Sequence, residues 1–152
     1  MGFNESVLIC DQVNPILNKI LEENGINYFG IENKQIYLEN EKVVLSGFCC
    51  YSSNASGYYK SNSKYGVNIL EGNIFENTIK SNNEKGYLNI VSVHFGDEHI
   101  HYPRYEHIKL ARKVAKHTLY ISYEHHPHVM QGVEMYERLC TGWVWFYIGW
   151  EV

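Results

Sequence analysis

Apolar and polar positions change period several times along this chain, and each change marks a predicted element. Ile16, Leu17, Ile20 and Leu21 follow Pro15 at helical spacing, and Asn24-Gly25 supplies a stop, so residues 15–24 read as a helix. Ile26 to Phe29 reads as a short strand. Gln35 to Leu38 and Lys42 to Phe48 read as two strands around the turn Glu39-Asn40-Glu41, which predicts a hairpin. A weaker helical pattern covers about 72–81. The β-branched run Leu88 to Val93 suits a buried strand. Pro103 then opens a helix through about Lys116, with Tyr105, Ile108, Ala111 and Ala115 expected along one face. Leu119 to Tyr123, Val133 to Tyr136 and Trp143 to Ile148 read as further strands. Helix and strand alternate around one antiparallel hairpin. The expected fold is therefore an α/β sandwich in which helices flank a mixed sheet.

Residues 50–66 interrupt this order with a polar loop rich in Ser, Asn, Gly and Tyr. Tyr51, Tyr58, Tyr59 and Tyr65 are read there as loop anchors, with a sugar- or peptide-binding groove as the alternative.

Composition narrows the function classes. A chain of 152 residues is expected to form one domain, and its 45% hydrophobic and 20% charged content is ordinary for a soluble protein. A formal net charge of -4 argues against broad attraction to nucleic acid. No apolar run approaches the length of a membrane span, and no signal peptide opens the chain, so the sequence by itself reads as cytoplasmic. Met1-Gly2-Phe3-Asn4-Glu5-Ser6 fits a loose myristoylation pattern and is read as an ordinary start. Cys10, Cys49, Cys50 and Cys140 lack any metal-binding or disulfide spacing and are expected to be buried thiols.

The candidate chemistry sits in the histidines. All eight fall between His94 and His128. His94 closes one predicted strand, and His125, His126 and His128 follow another. A helix between two parallel strands brings their carboxyl ends side by side, where ligands collect in open α/β sheets. Three imidazoles there can form a metal site. Pro127 stops a helix from continuing through the loop. In an extended segment, His126 and His128 then point to the same side, to hold one metal or two neighbouring ones. His99, His101, His107 and His117 read instead as structural or solvated, with contact to a substrate anion as the alternative for His99 and His101 and with His117 suited to a helix C-terminus.

These residues carry a resemblance. His94-Phe95-Gly96-Asp97-Glu98-His99, then Pro103, Leu110-Ala111-Arg112, and then His125-His126-Pro127-His128-Val129-Met130-Gln131-Gly132-Val133-Glu134-Met135-Tyr136 follow one another in order. The series resembles the bacterial capsule-synthesis CapA family, the poly-γ-glutamate synthesis proteins, over residues 88–136. Leu17 to Gly30 and Lys42 to Phe48 resemble the family's upstream elements more loosely. Three features depart from the family pattern. Its N-terminal Gly-Asp, Asn-x-Glu and Asn-Asn-His motifs have no counterpart here, and Ser6 to Asp11 stands where the last would fall. Glu124 replaces the glycine before His125, and Thr118-Leu119-Tyr120 replaces a Gly-Ala-Asp turn. Phe146-Tyr147-Ile148-Gly149-Trp150 lacks the asparagine of the closing motif.

The resemblance implies a partial metallophosphatase-type α/β sandwich, corresponding to the C-terminal part of such a domain across residues 1–152. It implies His94, His126 and His128 as metal ligands and His125 as an alternative ligand or catalytic proton donor. Glu98, Gln131 and Glu134 are implied as residues that orient imidazoles, shape the loop or meet substrate. The implied cofactor is a divalent metal (Mn, Fe or Zn), one ion rather than two because the bridging aspartate is missing. The implied activity is metal-dependent phosphoester hydrolysis in capsule or poly-γ-glutamate assembly. A polyanionic polymer or phosphorylated substrate would be the partner, near a membrane-bound synthesis complex at the cell envelope. Two readings stand beside it: a non-catalytic module or remnant that binds a polyanion or a partner protein, and a pH-responsive surface.

Overall fold

A computed structural model describes residues 8–9, 15–50, 67–116, 118, 120–134 and 145–147. The loop tyrosines Tyr51, Tyr58, Tyr59 and Tyr65, the thiols Cys10 and Cys140, and His117 lie outside the described residues. Among the described residues ten elements follow in order. They are β1 (Leu8–Ile9), α1 (Pro15–Glu23), β2 (Tyr28–Phe29), β3 (Ile36–Leu38), β4 (Val43–Cys49), α2 (Gly72–Glu84), β5 (Leu88–His94), α3 (Tyr105–Ala115), β6 (Tyr120–His125) and β7 (Trp145–Tyr147).

Strands β3-β4-β5-β6-β7 form one sheet in that spatial order. β3 and β4 are the antiparallel hairpin. The pairs β4–β5, β5–β6 and β6–β7 are parallel, with α2 and α3 as the first two crossovers. β1 and β2 make a separate parallel pair. The fold is thus α/β, with a mixed sheet and flanking helices, as the alternation of periods predicts.

Side-chain alternation divides the core in two. Phe48, Val91, Val93 and Tyr120 leave the sheet on the side of α2 and α3, where they meet Phe75, Ile79, Ala111, Val114 and Ala115. Phe75 packs edge-on against both Phe48 and Tyr120. Tyr120 donates its hydroxyl to the Ala111 carbonyl at 2.9 Å, which ties β6 to α3. Buried Asn82 on α2 donates to Asn89 Oδ1 at 2.7 Å and accepts from Tyr37 at 3.1 Å, so it joins the helix to β5 and β3. Cys49 goes the other way, into a smaller cluster with Leu21, Tyr28, Ile31 and Val67.

Several boundaries differ from the periodicity. α2 runs on to Glu84, and the Gly86 turn that ends it has φ +85°. Pro103 precedes α3 rather than opening it, because Arg104 takes the cap position. Tyr105 stands 73% exposed and drops out of the expected face, while Val114, not among the expected residues, is buried with Ala111 and Ala115. Val133 and Glu134 form no strand, and Val133 is exposed. β6 extends two residues beyond the expected Tyr123, which places His125 inside the strand rather than after it. Among the described residues no helix is long and apolar enough to cross a membrane.

Candidate metal centre

The sheet register builds the site. Cys49 pairs with His94 across β4 and β5, and His94 pairs with His125 across β5 and β6. Register partners in a parallel sheet present their side chains on one face, so a thiol and two imidazoles stand in a row at the carboxyl ends of three strands. The His94 and His125 rings lie 4.8 Å apart by centroids, and the His94 and His126 rings 4.6 Å apart. Cys49 Sγ lies 3.7 Å from His94 Nδ1. Ser92 Oγ lies 3.2 Å from His125 Nε2, which fixes one edge of that ring.

Beyond β6 the chain turns sharply. His126 has φ +112° and His128 φ +56°, so the expected extended geometry is not what brings these rings together. Pro127 blocks a helix, but it does not impose extension on its neighbours. The left-handed turns bring the His126 and His128 rings to 5.9 Å. They also bring Glu98 in: one ligand atom from each of Glu98, His126 and His128 lies within 4.8 Å of the others. Donors around a tetrahedral zinc ion stand about 3.4 Å apart, a gap that rotation of these exposed or half-exposed side chains can close. The three residues therefore fit a divalent cation, with the donor chemistry of zinc, manganese or iron sites. His94 stands beside this trio rather than within it, its ring 4.6 Å from that of His126.

The two loops hold each other. Gly96 has φ +119°, and a Cβ there would meet Pro127 Cγ at 2.8 Å. The glycine of the first motif is thus the seat of the proline of the second. His99 N–H donates to the Pro127 carbonyl at 2.7 Å, and Phe95 N–H to the His125 carbonyl at 3.2 Å. Gln131 Nε2 donates to the Ile100 carbonyl at 2.7 Å, and His101 Nδ1 donates to the Met130 carbonyl at 3.2 Å. Glu134 accepts from Arg112 Nε at 2.9 Å and anchors the second loop to α3. Arg104 pairs through two hydrogen bonds with Asp97, whose carboxyl it holds below the usual range.

The remaining histidines divide by position. His99 is exposed, with its ring 5.9 Å from that of His128. His101 is exposed and serves as a loop tie. His107 stacks on Phe95 at 3.9 Å, and burial together with the nearby Arg104 charge lowers its pKa to about 4. It lines a small cavity with Glu124, on the α3 side of the sheet and away from the imidazole row. Cys49 is the site neighbour that sequence reasoning missed: no spacing rule links it to His94, and only strand pairing does.

With this geometry in hand, comparison with protein families gives a match. The family model "Bacterial capsule synthesis protein PGA_cap" covers residues 18–149. The chain belongs to this family. The match spans every element from within α1 through β7, so the capsule-synthesis family extends well beyond the two histidine motifs. Curated proteins and solved structures give no match.

Proposed function

We propose that this capsule-synthesis family member binds one divalent cation through His126, His128 and Glu98, with His94 alongside, and acts on a phosphorylated intermediate of capsule or poly-γ-glutamate assembly. The convergence of those three donor atoms within 4.8 Å is the observation that carries this reading. The cation, when bound, supplies Lewis-acid polarisation of a phosphoryl oxygen. In this reading His125, whose Nε2 lies 3.2 Å from Ser92 Oγ, gives a proton to the leaving group. Gln131 and Glu134 hold the second loop in register, and His101 adds a further tie between loops.

Elemental analysis and calorimetric titration of untagged protein with Mn²⁺ and Zn²⁺ test the cation. About one ion per chain is expected, lost in His126→Ala and His128→Ala and retained in His101→Ala. A chain that takes up neither metal sinks the reading. Turnover of a generic phosphate monoester with Mn²⁺, abolished by the same two substitutions, tests the hydrolase.

One observation favours a second reading. Lys109, Arg112, Lys113 and Lys116 recur at i, i+3, i+4 and i+7 on the exposed side of α3, a basic stripe on an acidic chain. Arg112 and Lys113 are already paired with Glu134 and Glu76. A non-catalytic module that holds an anionic polymer would bind it with a strong salt dependence and show no turnover.

A further inference from the structure

We propose that Cys49 is a ligand of the cation site, at the His94 edge, and that it gives the site a preference for zinc-like ions over manganese and magnesium. This inference rests on the cation reading above. Cys49 and His94 are register partners at the ends of adjacent parallel strands, so the backbone of the sheet holds them together. Their donor atoms, Sγ and Nδ1, stand 3.7 Å apart. Zinc–sulfur and zinc–nitrogen bonds of about 2.3 and 2.0–2.1 Å at a tetrahedral angle place such atoms about 3.6 Å apart. The pair thus stands at about the separation that a shared tetrahedral ion requires.

The next imidazole is that of His126. The His126 ring lies 4.6 Å from the His94 ring by centroids, and its other neighbours are Glu98 and His128. His126 is therefore a neighbour both of the harder pair on the loops and of His94 on the strands. A cation seated toward His94 gains sulfur and nitrogen ligands, and one seated toward Glu98 gains oxygen and nitrogen. Thiolate selects zinc, iron and cobalt over manganese and magnesium. Cys49 is 4% exposed among Leu21, Tyr28, Ile31 and Val67, so a cation there meets the sulfur without competing water on its inner side. The thiol also lies 3.6 Å from the Cys50 carbonyl, a weak contact that a metal bond would replace. Cys50 itself lies in the cluster under α2 and α3, on the opposite face.

Cobalt(II) titration of the full untagged chain tests this. A near-ultraviolet sulfur-to-cobalt charge-transfer band is expected alongside the visible ligand-field bands. Cys49→Ser should remove the ultraviolet band and keep one cobalt per chain. It should also weaken zinc at least about tenfold while leaving manganese unchanged. Cobalt that binds the unsubstituted chain without a sulfur band overturns the Cys49 assignment and leaves the cation reading standing. A band that survives Cys49→Ser also overturns it, since the sulfur is then another cysteine. A chain that binds no cobalt, zinc or manganese overturns both. Zinc X-ray absorption of the unsubstituted chain needs no variant: a sulfur shell near 2.3 Å is expected, and a shell of nitrogen and oxygen alone refutes the proposal.

Discussion

Replacing Gly96 by alanine should damage stability and cation binding together, because one contact joins the two histidine motifs. The backbone at Gly96 has φ +119°, outside the range that alanine accepts comfortably. Left-handed backbone costs a residue with a Cβ about 1–2 kcal/mol. The new Cβ would also stand 2.8 Å from Pro127 Cγ and 3.6 Å from Pro127 Cδ. The proline ring cannot fold away as a flexible side chain would, so Pro127 must shift. Overpacking of this kind costs about 1–3 kcal/mol. The two terms share some relief, since moving the loop eases both, and about 2–4 kcal/mol in total is expected. For a chain of this length each kcal/mol moves the melting temperature by about 2–4 °C, so a drop of about 5–15 °C follows.

Pro127 lies between His126 and His128, so its displacement pulls two cation donors out of register. Manganese or zinc affinity of Gly96→Ala should therefore fall at least about tenfold. Gly132→Ala is the matched control: its Cβ would meet nothing within 4 Å, and its φ is not in the positive range. It should melt within about 0.5 kcal/mol of the unsubstituted chain and bind as it does. Thermal unfolding followed by circular dichroism, with calorimetric titration of each variant, reads both effects. A Gly96→Ala chain that melts with Gly132→Ala and binds metal normally would refute the packing of glycine on proline as the link between the motifs.

Two further outcomes follow from burial. His107 has its pKa lowered from 6.5 to about 4, so the unfolded chain takes up a proton before the folded one does. The neutral ring's contribution is complete above pH 6.5 and is lost as pH falls toward 4, a decline of about 1–2 kcal/mol once solvent screening of this half-buried ring is allowed for. His107→Gln should flatten that part of the pH–stability curve, and parallel curves would contradict the assignment. Asn82→Ala removes the buried amide that bonds Asn89 and Tyr37 and should cost about 1–3 kcal/mol in urea unfolding. A loss below about 0.5 kcal/mol would show that those partners re-pair without it.

The order of elements was legible in the sequence because apolar periodicity reports burial directly. Leu88 to Val93 and the pair of strands around Glu39-Asn40-Glu41 are cases in which the pattern admits few other solutions. Phase along α3 was harder. Tyr105 fits the helical spacing yet stands exposed, while Val114 packs in the cluster with Ala111 and Tyr120, which the spacing alone did not single out. The imidazoles were legible as a group because both motifs end parallel strands. Their local geometry was not. A proline excludes helix without choosing between extended and left-handed neighbours, and His126 and His128 take the left-handed option. Cys49 lies 45 positions from His94, so no local pattern links the two, and strand pairing alone supplies the link.

The alternation of β6 also decides what the most conspicuous departure in the second motif means. Glu124 stands where the related pattern has glycine, immediately before His125. Consecutive strand residues face opposite sides of a sheet. His125 therefore joins His94 and Cys49, while Glu124 goes under α3, 3% exposed, and lines a cavity with His107, Phe95 and Leu110. The added carboxylate is thus kept in the layer beneath α3 and adds no donor to the imidazole row. It also explains why a residue so close to the motif can change without disturbing the row: the sheet is the barrier between them. A glycine at this position leaves room beneath α3, and here that room holds a carboxylate side chain. The departure belongs to the helix–sheet interface, whereas the cation site is built by the other face of the same strand.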